Sequence, residues 1–324
     1  MCTRNKILEI LKQKKGIFVS GQHIAASLKI SRTAIWKAVK TLKDDGFKIE
    51  SVRNNGYKLL SDNDVLSETE IKKNLLPEYK NFNIKIYKTI DSTNNFAKKL
   101  IALNDFKNGT TIISNEQTAG RGRFARSFFS PADTGIYLST IIKMQLKLSD
   151  VSLITVISAL SVCKAITKLT GIKPEIKWIN DIFINGKKVC GILTEAVSDF
   201  ETQTSNAIVA GIGINVSTGK NLFPKELQNK ATSVGSKNLS RNLFIAEIIN
   251  DFYLRLKDIR DKKIIEEYKS LSLVLNKEIK YLKDETVITA RAVDINDKGN
   301  LVVQDKADKI SVLEAGEISV KPNN

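Results

Sequence analysis

Apolar residues in this 324-residue chain recur with a helical period as far as Gly46 and with a strand period directly after it. One uniform layer cannot hold both patterns, so the chain must divide. In RNKILEILKQKKG, Ile7, Leu8, Ile10 and Leu11 share one helical face, and Gly16 marks a stop. SGQHIAASL starts a second helix with Ser20 as N-cap, and SRTAIWKAVKTLKDDG a third, capped by Ser31 and ended at Gly46. At about 100° per residue, Ala34, Ile35, Ala38, Val39 and Leu42 fall on one arc of that third helix. Arg32, Thr33, Trp36, Lys37, Lys40 and Lys43 fall on the other. FKIESVRNNGYKLL then reads as two strands around an Asn-Gly turn.

This order predicts a winged helix-turn-helix over residues 1–62, and charge points to its use. The chain carries a net +16, and residues 1–62 hold 13 Lys+Arg against 5 Asp+Glu, half of that excess in about a fifth of the length. A Lys-rich composition from an A/T-biased genome accounts for the total but not for the clustering. The third helix would enter a major groove from Ser31, with Arg32, Thr33 and Lys37 nearest base edges and Trp36 on the same face. Lys40 and Lys43 would meet phosphates, and Arg53 and Asn54 at the wing tip would touch backbone or minor groove. The competing reading is a solvated basic face on a protein-interaction module. His23, the only histidine, is expected to be structural.

LLSDNDVLSETEI loses periodicity, and Ser67 with Glu70 forms a capping box, so residues 63–83 read as a linker and entry helix. Residues 84–271 alternate short β-rich runs with helices: NIKIYKTI, GTTIISN, GIYLSTIIKM and NAIVAGIGINV as strands, LITVISALSVCKAITKL as a long buried helix. EIKWINDIFINGKKVCGILTEAV reads as strand, turn at Asn185-Gly186, strand. The expectation is an α/β domain on a mixed, largely antiparallel sheet. After the amphipathic helix SRNLFIAEIINDFYLRLKDI, short strands around NDKGN predict a small SH3-like β-barrel over 272–324. The whole is an α+β multidomain protein.

Composition removes several classes. VSLITVISALSVC is too short for a bilayer and is interrupted by Ser and Thr, and the N-terminus lacks the apolar core of a signal peptide, so no membrane partner is expected. Three cysteines, Cys2, Cys163 and Cys190, make no disulfide framework and suit a reducing cytoplasm. No Cys/His spacing fits a zinc site, so no metal-ligand set is expected.

EQTAGRGRFARSFFSP, residues 116–131, contains three arginines, two glycines and a proline, with no acidic residue between Glu116 and Asp133. A dinucleotide fingerprint needs a strand directly before its glycines and a helix directly after, and here Ser130-Pro131 stands where the helix should run. The P-loop pattern is absent, and without a histidine in this domain Ser-His and Cys-His nucleophiles are excluded. Two readings remain: a basic surface loop, or a flexible cationic loop that orders around a phosphate-bearing ligand, its glycines admitting close backbone approach.

DSTNN at 91–95, EQTAGRGR at 116–123, KWIND at 177–181, GKKVCGIL at 186–193 and GIGINV at 211–216 occur in this order. With the N-terminal module, this set resembles the biotin protein ligases that double as biotin operon repressors, over the whole chain. The resemblance implies a class II aminoacyl-tRNA synthetase-like catalytic domain. It implies a two-step reaction: biotin and ATP with Mg²⁺ form biotinyl-5′-AMP, and a lysine of the biotin carboxyl carrier protein of acetyl-CoA carboxylase takes the acyl group. By motif position, Ser92, Thr93, Asn94 and Gln117 would hold the biotin ureido ring. Gly120, Arg121, Gly122 and Arg123 would close over biotin and the adenylate phosphate, with Arg126 on ATP phosphates. Lys188 and Gly191 would flank the carboxyl-phosphate junction, and Lys177 would add charge beside it. Asp181 would orient or deprotonate the carrier lysine, Asn215 would place ATP or its metal, and Trp178 would pack the pocket wall. NLFPKELQNKATSV resembles the family segment near the adenine site. Phe128 stands where the family usually has Trp, Ile179 where it has Pro, and Ala125 where Gly is common. The regulatory implication is a homodimer of the adenylate-bound chain on operator DNA. A non-catalytic biotin-sensing repressor and a lipoate-type acyl-adenylate ligase are the alternatives.

Overall fold

The computed structural model describes residues 3–44, 46–60, 64–199, 204–235, 239–283, 286–314, 316 and 318–320. It divides into two compact units, residues 1–69 and 70–324.

In the first unit, α1 (Thr3–Gln13), α2 (Gly21–Leu28) and α3 (Arg32–Asp44) precede a hairpin of β1 (Ile49–Val52) and β2 (Gly56–Leu59). Ser20 and Ser31 accept the backbone N–H of His23 and Ala34, so both helices start where their caps lie in the sequence. Ile7, Leu11, Ile24, Ile35, Val39, Leu42 and Leu59 close one core, and the basic arc of α3 stays outside. The hairpin connection differs from the expected two-residue turn. Arg53–Asn55 form a three-residue loop, with Asn54 and Gly56 at φ of 68° and 100°. A Cβ on Gly56 would lie 2.1 Å from the Val19 carbonyl oxygen, because Val19 and Tyr57 exchange backbone hydrogen bonds there. His23 is exposed, so its side chain is not the structural element expected of it.

The second unit begins with α4 (Glu68–Asn74), whose first residues straddle the division. Then follow β3 (Ile84–Ile90), α5 (Thr93–Ala102), β4 (Thr111–Gln117), β5 (Gly135–Ile142), β6 (Leu146–Lys147) and α6 (Ser152–Thr170). After them come β7 (Glu175–Lys177), β8 (Asp181–Ile184), β9 (Lys187–Asp199), β10 (Thr204–Asn215), α7 (Arg241–Leu256) and α8 (Lys262–Ser270). The strands form one sheet in the order β3-β4-β5-β10-β9-β8-β7, with β6 on β10. Only β3 and β4 pair in parallel, joined across α5, so the sheet is mixed and largely antiparallel as expected. Every residue of β5 is buried, the mark of a strand covered on both faces. The segment expected to be one strand from Glu175 is two, because residues 178–180 turn out of the sheet between β7 and β8. Helix α8 was not visible in the sequence pattern, being only nine residues long.

The helical stretch Leu148–Thr170 is long and apolar enough to cross a membrane, more so than its apolar run alone suggested, but 78% of its apolar window is buried inside the protein. Its polar residues have partners there. Asp251 of α7 accepts hydrogen bonds from Ser161 and Lys164 of α6 and pairs with Arg255, which reaches on to Glu267 of α8 at 2.7 and 2.9 Å. This network ties three helices together.

The last strands are β11 (Glu278–Lys283), β12 (Thr286–Ile295), β13 (Leu301–Gln304), β14 (Ile310–Leu313) and β15 (Ile318–Val320). They form a five-stranded antiparallel sheet in the order β14-β13-β12-β11-β15. Its Asn296–Asn300 turn is bound to the segment between β7 and β8 and to the start of α6: the Trp178 indole donates to the Gly299 carbonyl at 2.9 Å, and Ser152 donates to that of Lys298 at 2.6 Å.

Burial pushes the Asp251 carboxyl up, but the hydrogen bonds from Lys164 and Arg255 outweigh it and hold its pKa below the usual value. A depressed folded-state pKa contributes stability that is full above the unfolded pKa and disappears as pH falls through the folded one. Asp251→Asn should therefore lower the unfolding free energy by about 3 kcal/mol at neutral pH. In urea titrations the gap from wild type should narrow as the pH drops below about 4.

Candidate active site

Helix α5 begins over a part of the sheet that has no side chains. Ser92 caps it, accepting the Asn95 amide, and the first turn carries Thr93 and Asn94 inward. Gly211 and Gly213 of β10 lie two apart and so face the same side, and Gly213 is paired with Gly191 of β9. A Cβ on Gly211 would meet Asn94 Oδ1 at 2.0 Å, and one on Gly213 would meet the Phe128 ring at 2.6 Å. The glycines of GIGIN are thus the floor of a cavity of about 530 Å³.

The polar groups at the base hold one another. Gln117 Oε1 accepts from the Thr93 amide at 2.8 Å and from its hydroxyl at 3.1 Å, while Gln117 Nε2 donates to Ser130 at 2.9 Å. The Asn94 amide donates to the Leu193 carbonyl and to Glu195 Oε2, at 3.1 and 2.8 Å, and its oxygen lies 2.6 Å from Ser139 Oγ. Such a mutually bonded set is fixed before any ligand arrives.

Across the mouth lies the arginine-rich segment. Strand β4 ends at Gln117, two residues nearer Gly120 than expected, and the following segment has no helix. It is a folded hairpin: Arg121 bridges Ser127, Gly122 donates to the Arg126 carbonyl at 2.7 Å, and Phe128 donates to that of Gly120 at 2.8 Å. Arg126 donates to the Arg123 carbonyl across a tight turn whose central residues, Phe124 and Ala125, have φ of 54° and 56°. That left-handed backbone explains why glycine suits position 125; each non-glycine residue there costs about 1–2 kcal/mol. Arg121 donates to Asn95 Oδ1 at 3.0 Å and Arg123 to Asn180 Oδ1 at 3.2 Å, fastening the hairpin on two sides.

Opposite, Lys188 Nζ lies 2.7 Å from Asp181 Oδ1. Among the described residues, Asp181 is the acidic residue that lines the cavity. The Trp178–Ile179 peptide is cis, Asn180 donates to the Ile192 carbonyl at 2.9 Å, and Trp178 is buried in the wall as expected. Lys188 is also held by the segment after β10, exchanging backbone bonds with Lys230 and Thr232.

Ser92, Thr93, Asn94, Gln117, Arg121, Gly122, Arg123, Arg126, Lys177, Asp181, Lys188 and Gly191 all line this one cavity, although they come from distant parts of the chain. Gly120 and Asn215 do not. Gly120 packs where a Cβ would strike the Phe128 carbonyl oxygen at 2.4 Å, and Asn215 is buried at the end of β10, donating to the Thr232 carbonyl. Sequence reasoning missed Ser139, Asn180, Lys230 and Glu195. A charged residue two after Leu193 on the cavity face of β9 was the available signal for Glu195. Among the described residues no group of three or more His, Cys, Asp or Glu is placed to hold a metal.

In the first unit, Arg32, Trp36, Lys40 and Lys43 of α3 and Arg53 and Asn54 of the wing line one hollow of about 640 Å³. Trp36 is 55% exposed, with Lys40 Nζ 5.6 Å from its ring. Ser31, Thr33 and Lys37 are exposed outside that hollow.

The profile of the biotin/lipoate A/B protein ligase family matches residues 86–215, that of a helix-turn-helix domain residues 3–58, and that of the biotin protein ligase C-terminal domain residues 274–321. Among curated proteins, the bifunctional ligase/repressor BirA of Bacillus subtilis is 34% identical over 93% of this chain and 94% of its own. The chain belongs to the family of bifunctional biotin ligase/repressors. The Escherichia coli BirA is 26% identical over 94% of each chain. The solved biotin protein ligase of Aquifex aeolicus, in complex with biotin and ATP, superposes with a TM-score of 0.63 at 27% identity, over 74% of this chain and 98% of that one. The family's ordered motifs are therefore, in this chain, the walls and floor of one cavity.

Gly211→Ala should drive Asn94 off its partners and lower stability by about 2 kcal/mol, as overpacking does. Gly219→Ala, beside which nothing lies within 4 Å, should leave the melting temperature unchanged. Thermal denaturation of the two variants distinguishes them.

Proposed function

We propose that this chain joins biotin to a carrier protein through biotinyl-5′-AMP and, loaded with that intermediate, represses transcription from operator DNA. The observation that carries the enzymatic half is the cavity: the Asp181 carboxylate, a ring of cations and a prebonded polar base, in a chain of this family.

In the first step the biotin carboxylate oxygen attacks the α-phosphorus of ATP, a new P–O bond forms, and pyrophosphate leaves with the electrons of the broken one. Two anions must meet, so cations that bind the crowded phosphorus more tightly than the reactants lower the barrier. Lys188, Lys177, Arg121, Arg123 and Arg126 supply them, and the Ser92–Asn94 and Gln117 set receives the ureido ring. Gly191 leaves room for the carboxyl end beside Lys188, where a Cβ would approach Lys188 Nζ to 3.2 Å. Mg²⁺ enters with ATP as part of the substrate. Magnesium is commonly held by one or two carboxylates plus phosphate oxygens, and the Asp181 carboxylate in the cavity suits that use.

In the second step the carrier lysine's nitrogen attacks the acyl carbon, the C–O bond to phosphate breaks and AMP departs. Asp181 accepts the proton that the amine loses. Until then, Arg121, Gly122 and Arg123 shield the mixed anhydride from water. The C-terminal domain, whose sheet we infer to close as an SH3-like barrel, lines the cavity through Gly316 and Ile318, which supports a part for it in meeting the carrier. We read the catalytic domain over 84–271 as class II aminoacyl-tRNA synthetase-like, preceded by the DNA-binding domain at 1–62 and the linker and entry helix at 63–83 and followed by the C-terminal domain at 272–324. The adenylate-bound homodimer presents two copies of α3 to a two-fold cytoplasmic operator.

Incubation with ATP, biotin and a biotin carboxyl carrier domain, followed by mass spectrometry, should give a mass gain of one biotinyl group and none with lipoate; no gain would overturn the enzymatic half. Lys188→Ala should lower adenylate formation by about 10²-fold with the fold intact, read by pyrophosphate release. For the DNA-binding half, Lys40→Ala should weaken operator binding across sequences and reduce the slope of log K against log salt by about 1, read by gel shift.

A further inference from the structure

The cavity's first arginine is held by a carboxylate that does not itself line the cavity. Glu195 lies on the same face of β9 as Gly191, beside the start of α5. Its Oε2 accepts from Asn94 at 2.8 Å, and its Oε1 takes Lys98 Nζ at 2.7 Å and stands 3.8 Å from Arg121 Nη1. Arg121 completes its attachment through Asn95 Oδ1, and Asn95 is braced by Asp91 at 2.9 Å. Burial pushes the Glu195 pKa up, yet the hydrogen bonds from Lys98 and Asn94 bring it below the usual value, so the carboxylate is charged.

Two cations thus share one anion at unequal distance. The nearer, Lys98, neutralises most of its charge, and Arg121 feels what remains. Were the carboxylate unneutralised, it would compete with a ligand phosphate for the guanidinium. Were it absent, its hold on Arg121 against transfer to the ligand would be lost.

We propose that Glu195 is a positioning residue for Arg121, and that Lys98 is the counter-charge that sets how firmly Glu195 holds this arginine away from the adenylate. The inference rests on the ligase reading for its consequence but not for its geometry. Its signature is a pair of effects of opposite sign. Glu195→Gln keeps an oxygen for Asn94 while removing the charge, which releases Arg121 toward the ligand. Lys98→Met unmasks the carboxylate and draws Arg121 back. If Lys98 and Glu195 were only a structural ion pair, either change would break the same contact and both variants would move together.

The test uses the full chain and two readouts. In the ligand-free protein, phenylglyoxal labelling of Arg121, followed by peptide mass spectrometry, should rise about two- to fivefold in Glu195→Gln and fall by a similar factor in Lys98→Met, the range of a partly exposed ion pair. In a chase experiment, release of preformed biotinyl-5′-AMP should slow in Glu195→Gln and quicken in Lys98→Met by comparable factors. Thermal melts establish that both variants are folded. Shifts of the same sign in the two variants, or unchanged labelling in folded protein, would overturn the proposal. Labelling that shifts as expected in a chain that forms no adenylate would support the Arg121 placement and overturn the ligase reading instead.

Discussion

At Gly213 and Gly191 strands β9 and β10 meet with no side chain on the face toward α5, and Gly211 extends the bare strip under Asn94. Everything at the site depends on that close approach. Because Asn94 Oδ1 occupies the space a Cβ at 211 would take, the first turn of α5 can lie directly on the sheet. Because the Phe128 ring covers Gly213, the returning arm of the arginine hairpin can do the same. Phe128 stands where tryptophan is usual, and its ring still meets Tyr137 edge-on at 6.4 Å, so an aromatic remains wedged between hairpin and sheet.

The hairpin resolves an electrostatic problem in a way that leaves it ready for an anion. Three arginines within six residues repel one another, yet Arg121 and Arg123 each donate to a neutral amide oxygen, of Asn95 and Asn180. An amide oxygen orders a guanidinium without cancelling its charge. A phosphate entering the mouth meets guanidinium groups already ordered, and gains charge-assisted hydrogen bonds from them. Lys188 sits against a carboxylate of the cavity, Asp181, and that ion pair links the group suited to the carboxyl-phosphate junction with the group suited to receive a proton.

Charge is used in a third way in the helical layer. Asp251, Arg255, Lys164 and Glu267 cross-link α6, α7 and α8 behind the sheet, away from the cavity. There the ions satisfy one another, as partly buried ions must. In the first unit they remain exposed along α3 and the wing, as binding to a phosphate backbone requires.

Local rules in the sequence determined the helices of the first unit, their serine caps, the split of α3 into apolar and basic arcs, and most strands of the second unit, because period and capping are short-range properties. The motif set, taken in order, also pointed to the family. What adjacency could not determine was the break at residues 178–180, the three-residue wing turn, the roles of Gly120 and Asn215 outside the cavity, and the exposure of His23. The contacts of Glu195 and Ser139 were equally illegible, since their partners, Lys98 and Asn94, lie 97 and 45 residues away. Only pairing of β9 with β10 and docking of α5 on their glycines decided which polar groups meet, because side chains so distant along the chain become neighbours through strand register and close packing alone.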